Sequence, residues 1–552
     1  MSRQIDLTVG ALLDDMAERF PDNDALVYPE RDLRYSYRQF NDVCRQVAKG
    51  LLAMGIRKGD NLSIWAYNVP EWVILQFATA KIGAILVTVN TSYKSAELEY
   101  ILSQSDSSTL FMVKSFKDSD YVQTIYDVIP ELASSQSGSL KSPKLPHLKN
   151  VIFIGEESPA GMHNFRRILE LGAAVDDAEL AAVEATLNCH ETINMQYTSG
   201  TTGFPKGVML THYNVVNNGF NIGECMKLTE KDRLCIPVPF FHCFGCVLGV
   251  MACVTHGTTM VPVEIFDPLK VLQTIETEKC TAVHGVPTMF IAELEHPDFN
   301  KFDLGSLRTG IMAGSNCPIE VMKKVISEMH ASEITIAYGQ TESSPVITQT
   351  RTNDPIELRV ATVGRSLPDV EVKIVDIETG ATLPPGKQGE LCTRGYLVMK
   401  GYYKMPDETA KAIDADKWLH TGDLAIMDEN GYCKITGRIK NMIIRGGENI
   451  YPREIEEFLY THPKISDIQV YGVPDRKFGE QVMAAIILKK GMEMTEDEVR
   501  AFCKDKIANY KIPRFVRFVD SYPMTASGKI QKFKMREMAI KELQLEDAGP
   551  TA

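Results

Sequence analysis

From about residue 60 onward, short apolar runs of strand length alternate with longer stretches of helical periodicity. The first cycle reads NLSIWAY, PEWVILQFATAKIGA, ILVTV, SAELEYILSQS and TLFMV. After a Ser/Pro/Lys-rich stretch at 133–147, which we interpret as a surface loop, the alternation resumes and continues to EITIAYG. Because strands and helices that alternate in this way build parallel sheets with helices on both faces, the pattern predicts a large α/β domain.

After about residue 360 the helical stretches become fewer, and VEVKIVD, GELCTRG and YCKITG predict a small antiparallel β region. We assign this region to an N-terminal domain, residues 1–439, and the remaining chain, 440–552, to a small α+β domain. The second domain holds 19 Lys and Arg against 17 Asp and Glu, a net charge of +2, whereas the first holds 40 against 55, a net of −15. This asymmetry would suit a mobile lid over an anionic ligand, with compositional drift as the alternative explanation.

Composition narrows the class of protein. The 552 residues carry a net charge of −13, which argues against non-specific binding to nucleic acid because a phosphate backbone favours a basic surface. The 12 cysteines are scattered, and the one CxxC spacing, Cys243–Cys246, has no second pair to complete a metal-like pattern, a usage typical of reduced thiols in a cytoplasmic protein.

Two segments bear on targeting and membranes. The N-terminus, MSRQIDLTVGALLDDM, has acidic residues where an export signal would have its apolar core. Residues 236–255 are apolar enough to resemble a membrane span, but two prolines and His242 near the start favour a buried segment that lines a pocket. We therefore expect no stable insertion into a membrane.

The stretch YTSGTTGFPKG, residues 197–207, has the composition of a loop that binds phosphate. Its glycines let backbone N–H groups turn toward an anion, its hydroxyls add donors, and Lys206 supplies positive charge. The lysine follows Phe-Pro and precedes Gly, so the stretch fits neither the P-loop nor the kinase glycine loop. By itself this composition is more often that of a plain hairpin.

Six motifs in a fixed order resolve that ambiguity. They are TSGTTGFPKG, PFFHCFG, YGQTESS, WLHTGD, GRIKNMIIRGGENIYPREIE and PMTASGKIQK. Between about residue 20 and residue 540 the chain resembles the adenylate-forming superfamily of acyl-CoA synthetases, peptide-synthetase adenylation domains and luciferases, and within it most resembles medium-chain fatty acyl-CoA synthetases. The resemblance implies attack of a carboxylate on the α-phosphorus of ATP, followed by displacement of AMP by the thiol of CoA.

The resemblance also implies the catalytic and nucleotide contacts. Lys529 would reach the α-phosphate and the attacking carboxylate, Thr341 would lie near the α-phosphate, and Glu342 would bind Mg²⁺. Asp423 would accept both ribose hydroxyls. The implied ATP- and AMP-binding set is Thr198, Ser199, Gly200, Thr201, Thr202, Gly203, Lys206, Gly314, Ser315, Tyr338, Gly339, Asp423, Arg438 and Lys529.

The remaining sites concern the acid, CoA and domain rotation. Amino-acid-activating relatives usually have an Asp just after the motif's aromatic residue, where this chain has His242, so an uncharged aliphatic acid of medium length fits better. The implied acyl pocket comprises His242, Val286, Gly310, Ile311, Met312 and Ala337. The CoA side comprises Arg445, Gly446 and Gly447, with the hinge at Lys440. Related plant ligases have a lysine where this chain has Val263, so the contacts to the CoA phosphates stay open.

Several alternatives remain at this point. The enzyme could activate an aromatic or branched acid, or could pass its adenylate to a carrier protein instead of CoA. A luciferase-like oxygenase is a weaker alternative because nothing in the sequence argues for oxygen chemistry. A non-catalytic sensor of nucleotide or CoA is weaker because Lys529, Glu342, Asp423 and Arg438 are all present. The expected partners are a carboxylic acid, ATP and CoA, with a homodimer left open.

Overall fold

A computed structural model describes residues 4–198, 205–314, 317–446, 448–504, 506–525 and 529–545. The chain divides into two compact units. The first comprises 1–372 and 393–419, and the second comprises 373–392 and 420–552.

The first unit contains two large sheets that are mostly parallel. From edge to edge, the nine-stranded sheet runs Arg365–Ser366, Val346–Gln349, Thr335–Gly339, Thr309–Met312, Ala282–Gly285, Arg233–Ile236, Thr259–Pro262, Asp24–Tyr28 and Leu33–Ser36. The eight-stranded sheet runs Gly401–Tyr402, Lys206–Thr211, Thr192–Thr198, Ile85–Thr88, Asn61–Trp65, Thr109–Met112, Asn150–Phe153 and His163–Asn164. This arrangement confirms the α/β fold class.

Helices connect these strands. Ser36 and Thr211 begin two of the longer helices with reciprocal capping boxes, and Gly83 ends a third in the left-handed conformation at φ +70°. The α-helices of this unit are Val9–Arg19, Tyr37–Ala53, Pro70–Ile82, Ser95–Gln104, Tyr121–Val128, Arg166–Ala173, Asp177–Glu184, His212–Met226, Ala252–Val254, Pro268–Glu278, Pro287–Leu294, Ile319–Glu328, Ile356–Ala361 and Pro406–Ala412.

The apolar segment 236–255 forms no long helix. It follows the strand Arg233–Ile236 and contains a buried π-helix, Phe244–Met251, that leads into the short helix Ala252–Val254. Among the described residues, none of the helices has the length and apolar content that crossing a membrane requires.

The second unit has its own core. Gly479–Leu488 lies between Ile465–Asp475 and Ile443–Arg445, the last of which also pairs with Glu448–Ile450, and Phe515–Phe518 adds a parallel strand. The helices Pro452–Tyr460, Glu496–Cys503 and Lys532–Glu542 belong to this unit, and Ile455, Leu459 and Val499 pack in its apolar cluster.

The division between the units differs from the predicted boundary at 439/440. A four-stranded sheet, in the order Val370–Val375, Gln388–Gly395, Leu419–Met427 and Cys433–Arg438, falls mostly in the second unit, although the sequence analysis assigned it to the N-terminal domain. Side chains explain the grouping: Lys434 pairs with Glu457 at 3.3 Å, and Arg453 donates to the carbonyl of Ile435. The division into two compact units does not identify the residue about which a domain would rotate, so the hinge at Lys440 stays a prediction.

Candidate active site

The predicted phosphate loop leaves and re-enters the eight-stranded sheet. Thr192–Thr198 pairs antiparallel with Lys206–Thr211, and Thr198 is opposite Lys206. Five predicted contacts of this loop lie outside the described residues: Ser199, Gly200, Thr201, Thr202 and Gly203. The two described ends place a hydroxyl and an ammonium side by side.

The ammonium group of Lys206 is held by two neighbours. Its Nζ forms an ion pair with Glu408 and lies 4.9 Å from the centre of the Tyr402 ring. Hydrogen bonds from Lys206 and Lys411 lower the pKa of the Glu408 carboxyl to about 2. Glu408 is therefore ionised at neutral pH and neutralises the buried lysine.

Glu342 and Thr341 lie in a short 3₁₀ turn, Thr341–Ser343, that follows the strand Thr335–Gly339. The hydroxyl of Tyr402 donates to Glu342 Oε1 at 2.8 Å, and Thr198 donates to the same oxygen at 3.5 Å. Burial and the Glu342 charge raise the pKa of Tyr402, so its phenol stays a neutral donor. Oε1 is thus fixed by the protein, and among the described residues Oε2 accepts no hydrogen bond.

The aromatic–histidine motif reaches the same turn. Cys243 Sγ lies 3.8 Å from Thr341 Oγ1. His242 Nδ1 accepts from the backbone N–H of Phe244 at 3.1 Å, which places the proton of the neutral ring on Nε2. Two motifs separated by about a hundred residues are therefore in contact at this point.

The predicted acyl-pocket residues lie on adjacent strands, but they do not form one wall. Ile311 pairs in register with His284, whereas Met312 packs in the apolar core with Phe290 and Met322. Because successive side chains alternate across a strand, Ile311 and Met312 face opposite sides of the sheet. Two other predicted pocket residues are also buried: Val286, just before the helix Pro287–Leu294, and Ala337, in the middle of the strand Thr335–Gly339.

The backbone conformation and packing at Gly310 explain why this residue is a glycine. Its φ is +148°, and a Cβ there would lie 1.9 Å from the carbonyl oxygen of Val283 on the adjacent strand. The close approach of the two strands therefore requires glycine whether or not the position borders a substrate.

His284 is a residue that the sequence analysis missed. Its Nε2–H donates to the carbonyl of Leu248 in the π-helix at 3.0 Å, and its Nδ1 accepts from the N–H of Ile311 at 3.2 Å. Burial lowers its pKa to about 4, which keeps the ring neutral and suited to both roles. The ring thereby joins the helix of the aromatic–histidine motif to the strand that carries Ile311.

The predicted adenine wall lies at the carboxyl ends of parallel strands, where α/β proteins usually bind ligands. Tyr338 and Gly339 end the strand Thr335–Gly339, and Gly314, at φ +91°, follows Thr309–Met312. A Cβ at Gly339 would lie 1.8 Å from the carbonyl oxygen of Pro345. Ser315 lies outside the described residues.

The predicted ribose contacts belong to the second unit. Asp423 and Arg438 are opposite each other on adjacent antiparallel strands, with Oδ1 2.6 Å from Nε. The Asp423 side chain is 4% exposed, whereas Arg438 is 46% exposed. Glu390, which the sequence analysis also missed, accepts from the N–H of Gly422 at 2.9 Å and so supports the turn before Asp423.

Lys529 and Lys440 are also in the second unit. The backbone N–H of Lys529 donates to Thr525 Oγ1 at 3.0 Å, and its carbonyl accepts from the N–H of Thr525 at 2.7 Å. By contrast, nearby Lys532 is bound to Glu456 at 2.5 Å. Lys440 lies exposed in a 3₁₀ turn, Ile439–Asn441.

Two of the predicted CoA-binding residues make other contacts within the second unit. Arg445 donates to Gln481 at 2.7 Å and lies over the Phe478 ring at 4.4 Å. Gly446, at φ +61°, donates to the carbonyl of Phe478 at 2.8 Å, and Gly447 lies outside the described residues. Val263 is buried in the apolar core of the first unit.

Sequence models of two families match the chain. The AMP-binding enzyme model matches residues 13–403, and the AMP-binding enzyme C-terminal domain model matches residues 454–529.

Relatives extend the similarity over nearly the whole chain. YngI of Bacillus subtilis (strain 168), an acyl-CoA synthetase by name, is 61% identical over 545 residues, 99% of each chain. The mitochondrial medium-chain acyl-CoA ligase ACSF2 of Bos taurus is 44% identical over 544 residues, 98% of this chain and 88% of its own. The anthranilate CoA ligase AuaEII in complex with anthranoyl-AMP superposes with a TM-score of 0.83 at 27% identity, with 98% of each chain covered.

Proposed function

The chain belongs to the AMP-binding enzyme family, and from this membership we propose that it is an AMP-forming acyl-CoA ligase. It converts a carboxylic acid, ATP and CoA into acyl-CoA, AMP and pyrophosphate through an acyl-adenylate. The 3.8 Å contact between Cys243 and Thr341 carries the proposal best. It brings the motif expected to hold the acid against the motif expected at the α-phosphate, as the attack of a carboxylate on phosphorus requires.

In the first half-reaction an anionic acid approaches a polyanionic triphosphate, so positive charge and hydrogen-bond donors must offset the repulsion. Lys206 supplies one such charge. Glu342 is suited to Mg²⁺, a hard cation that prefers oxygen ligands, because Tyr402 fixes one carboxylate oxygen while the other accepts no hydrogen bond from the described residues. Bound Mg²⁺ would neutralise charge on the phosphates.

The second unit supplies the ribose contact and the catalytic lysine. Arg438 forms an ion pair with the buried carboxylate of Asp423, and a carboxylate with two oxygens can accept from two ribose hydroxyls. Lys529 would neutralise the charge that builds up at the α-phosphorus and hold the acid in line.

In the second half-reaction the thiol of CoA attacks the adenylate. The positive φ of Gly446 and the absence of a side chain there suit a passage for the pantetheine arm. Rotation about Lys440 would exchange Lys529 for this passage between the two steps.

We infer a neutral aliphatic acid of medium length, near C6–C10, as the substrate. His242 leaves no carboxylate to pair with an α-ammonium group, which disfavours amino acids. The name of ACSF2, at 44% identity, supports a medium-chain acid more than AuaEII, at 27% identity, supports an aromatic one. The cytoplasmic location and the homodimer stay predictions.

An ATP–pyrophosphate exchange screen over C2–C18 and aromatic acids tests the substrate. Each buried methylene contributes roughly 0.8 kcal/mol, so kcat/KM should rise about several-fold per carbon until the pocket is full. Greater efficiency on acetate, benzoate or an amino acid than on octanoate would refute a medium-chain preference. Hydroxamate trapping with and without CoA separates a CoA ligase, which consumes the adenylate, from an enzyme that waits for a carrier protein.

A further inference from the structure

Three side chains with different metal-binding groups converge on one face of the small antiparallel sheet. Glu390 and Cys392 are two residues apart on the strand Gln388–Gly395, so their side chains point to the same face. His420 reaches that face from the neighbouring strand, Leu419–Met427. None of the three has a role in the proposed reaction.

We propose that Glu390, Cys392 and His420 form a binding site for a borderline-soft divalent cation of the Zn²⁺ class. One ligand atom from each residue lies within 4.8 Å of the other two. Cys392 is completely buried, and the Glu390 and His420 side chains are 13% and 34% exposed. With three protein ligands, the fourth position of a tetrahedral site would be taken by water.

The distances match those of a tetrahedral site before the ion enters. His420 Nδ1 lies 3.4 Å from Cys392 Sγ and 2.8 Å from Glu390 Oε2. In a tetrahedral Zn²⁺ site, with Zn–S near 2.3 Å and Zn–N near 2.0 Å, the sulfur and nitrogen are about 3.5 Å apart and the nitrogen and oxygen about 3.3 Å apart. Binding of the ion would therefore move His420 Nδ1 and Glu390 Oε2 apart by about half an ångström and leave the distance from Nδ1 to Sγ nearly unchanged.

Nδ1 of His420 is the atom at which the other two side chains meet, since both Glu390 Oε2 and Cys392 Sγ lie within reach of it. A cation at the centre can bind all three groups at once, and the thiolate, imidazole and carboxylate set favours Zn²⁺ over the hard ions Mg²⁺ and Ca²⁺.

The site would have a structural role. Glu390 uses its other oxygen, Oε1, to accept from the N–H of Gly422, so this carboxylate can bind the ion and keep its backbone contact. The ion would cross-link two strands three residues before Asp423. We expect it to stabilise the second unit and to add no step to the reaction.

Titration of the full-length, reduced and metal-stripped protein with Co²⁺ tests the proposal. A thiolate-to-cobalt charge-transfer band should saturate near one equivalent and disappear when Zn²⁺ is added, whereas Mg²⁺ should leave it unchanged. Cys392→Ser should abolish the band, and His420→Gln should raise the Co²⁺ dissociation constant at least tenfold. Cys433→Ser, which alters another buried cysteine on the next strand of the sheet, is the matched control and should behave as the wild type.

Thermal unfolding gives a second measurement. Zn²⁺ should raise the midpoint temperature of unfolding in the wild type and in Cys433→Ser but not in His420→Gln. This comparison tests the site even if Cys392→Ser fails to fold. The absence of a cobalt–thiolate band at one equivalent would overturn the proposal. So would a band or a Zn²⁺ shift in His420→Gln equal to that of the wild type.

Discussion

Asp423 and Arg438 face each other across two antiparallel strands, and the 2.6 Å contact between them joins a buried carboxylate to a half-exposed guanidinium. Because Asp423 is so little exposed, the guanidinium of Arg438 offsets part of the cost of burying its charge. The pair is formed within one compact unit and so does not require the other unit for its geometry.

Replacing Arg438 with Ala should weaken nucleotide binding because Asp423 loses its counter-charge. Loss of this ion pair, which is partly screened by solvent at Arg438, should raise the apparent KM for ATP about tenfold in pyrophosphate exchange. Lys434 lies on the same strand but forms an exposed ion pair with Glu457, so Lys434→Ala should change the KM for ATP less than about twofold. Equal effects of the two substitutions would contradict a specific role for Arg438.

Glu342→Gln keeps the size of the side chain but removes the charge expected to hold Mg²⁺. Adenylation should fall by roughly two or more orders of magnitude, and the Mg²⁺ concentration for half-maximal rate should rise. Tyr402→Phe removes only the donor to Oε1 and should cost about tenfold or less. The exposed Glu357→Gln is the control; a normal rate and Mg²⁺ requirement in Glu342→Gln would show that Glu342 is structural.

Lys529→Ala should block adenylate formation and leave thioester formation from supplied acyl-adenylate largely intact, because its charge is needed only where the triphosphate is attacked. Lys534→Ala is the matched control, since Lys534 is exposed on the following helix. Lys532 is unsuitable because it is bound to Glu456 and the carbonyl of Val470. Equal loss in both half-reactions would instead make Lys529 a residue needed for folding or general nucleotide binding.

Lys440→Pro should restrict the predicted pivot, because proline fixes φ near about −65° and removes the N–H. If the chain is held in the adenylating arrangement, pyrophosphate exchange continues while thioester synthesis falls by about two orders of magnitude. Lys440→Ala keeps the backbone freedom and should support both half-reactions. Single-turnover measurements of adenylate formation and of thioester formation test this prediction. Equal losses in the two steps of Lys440→Pro, or no loss in either, would argue against rotation at this residue.

Stability should decrease as the pH falls from about 6.5 toward 4, because His284 and His212 are buried and neutral, each with its pKa lowered to about 4. In that window the unfolded chain binds more protons than the folded one, so protonation favours unfolding. Each histidine would contribute about 2 kcal/mol of lost stability by pH 5.

Urea unfolding of the wild type and His284→Gln at pH 7.5 and pH 5 measures how much of this pH dependence of stability comes from His284. Glutamine can still donate to Leu248 and accept from Ile311, but it does not titrate. The variant should therefore lose less stability than the wild type between the two pH values. An identical loss in both proteins would exclude His284 as a source of the dependence.

The sequence predicted those parts of the fold that have local signals. The strands Asn61–Trp65, Ile85–Thr88 and Cys433–Arg438 lie where short apolar runs predict them. The hairpin around the predicted phosphate loop also follows from local pattern, since apolar residues flank a run rich in glycine and hydroxyls.

Contacts between distant segments were not predictable. Glu408 pairs with Lys206 across 202 positions, and Tyr402 bonds Glu342 across 60. His284 looked like an ordinary core residue, because its two partners are backbone groups that no side-chain pattern reveals. Met312 was assigned to the acyl pocket from the family resemblance, whereas its side chain packs in the apolar core.

The pair between Lys206 and Glu408 means that the nucleotide-free protein already supplies an anion to its buried lysine. A triphosphate that reaches this lysine must displace a carboxylate, so its arrival is an exchange of one anion for another. Such an exchange gains less free energy than binding to an unpaired lysine would. When pyrophosphate leaves, the carboxylate of Glu408 takes its place beside Lys206. If Lys206 contacts the phosphates as predicted, Glu408 would compete with them for its ammonium group.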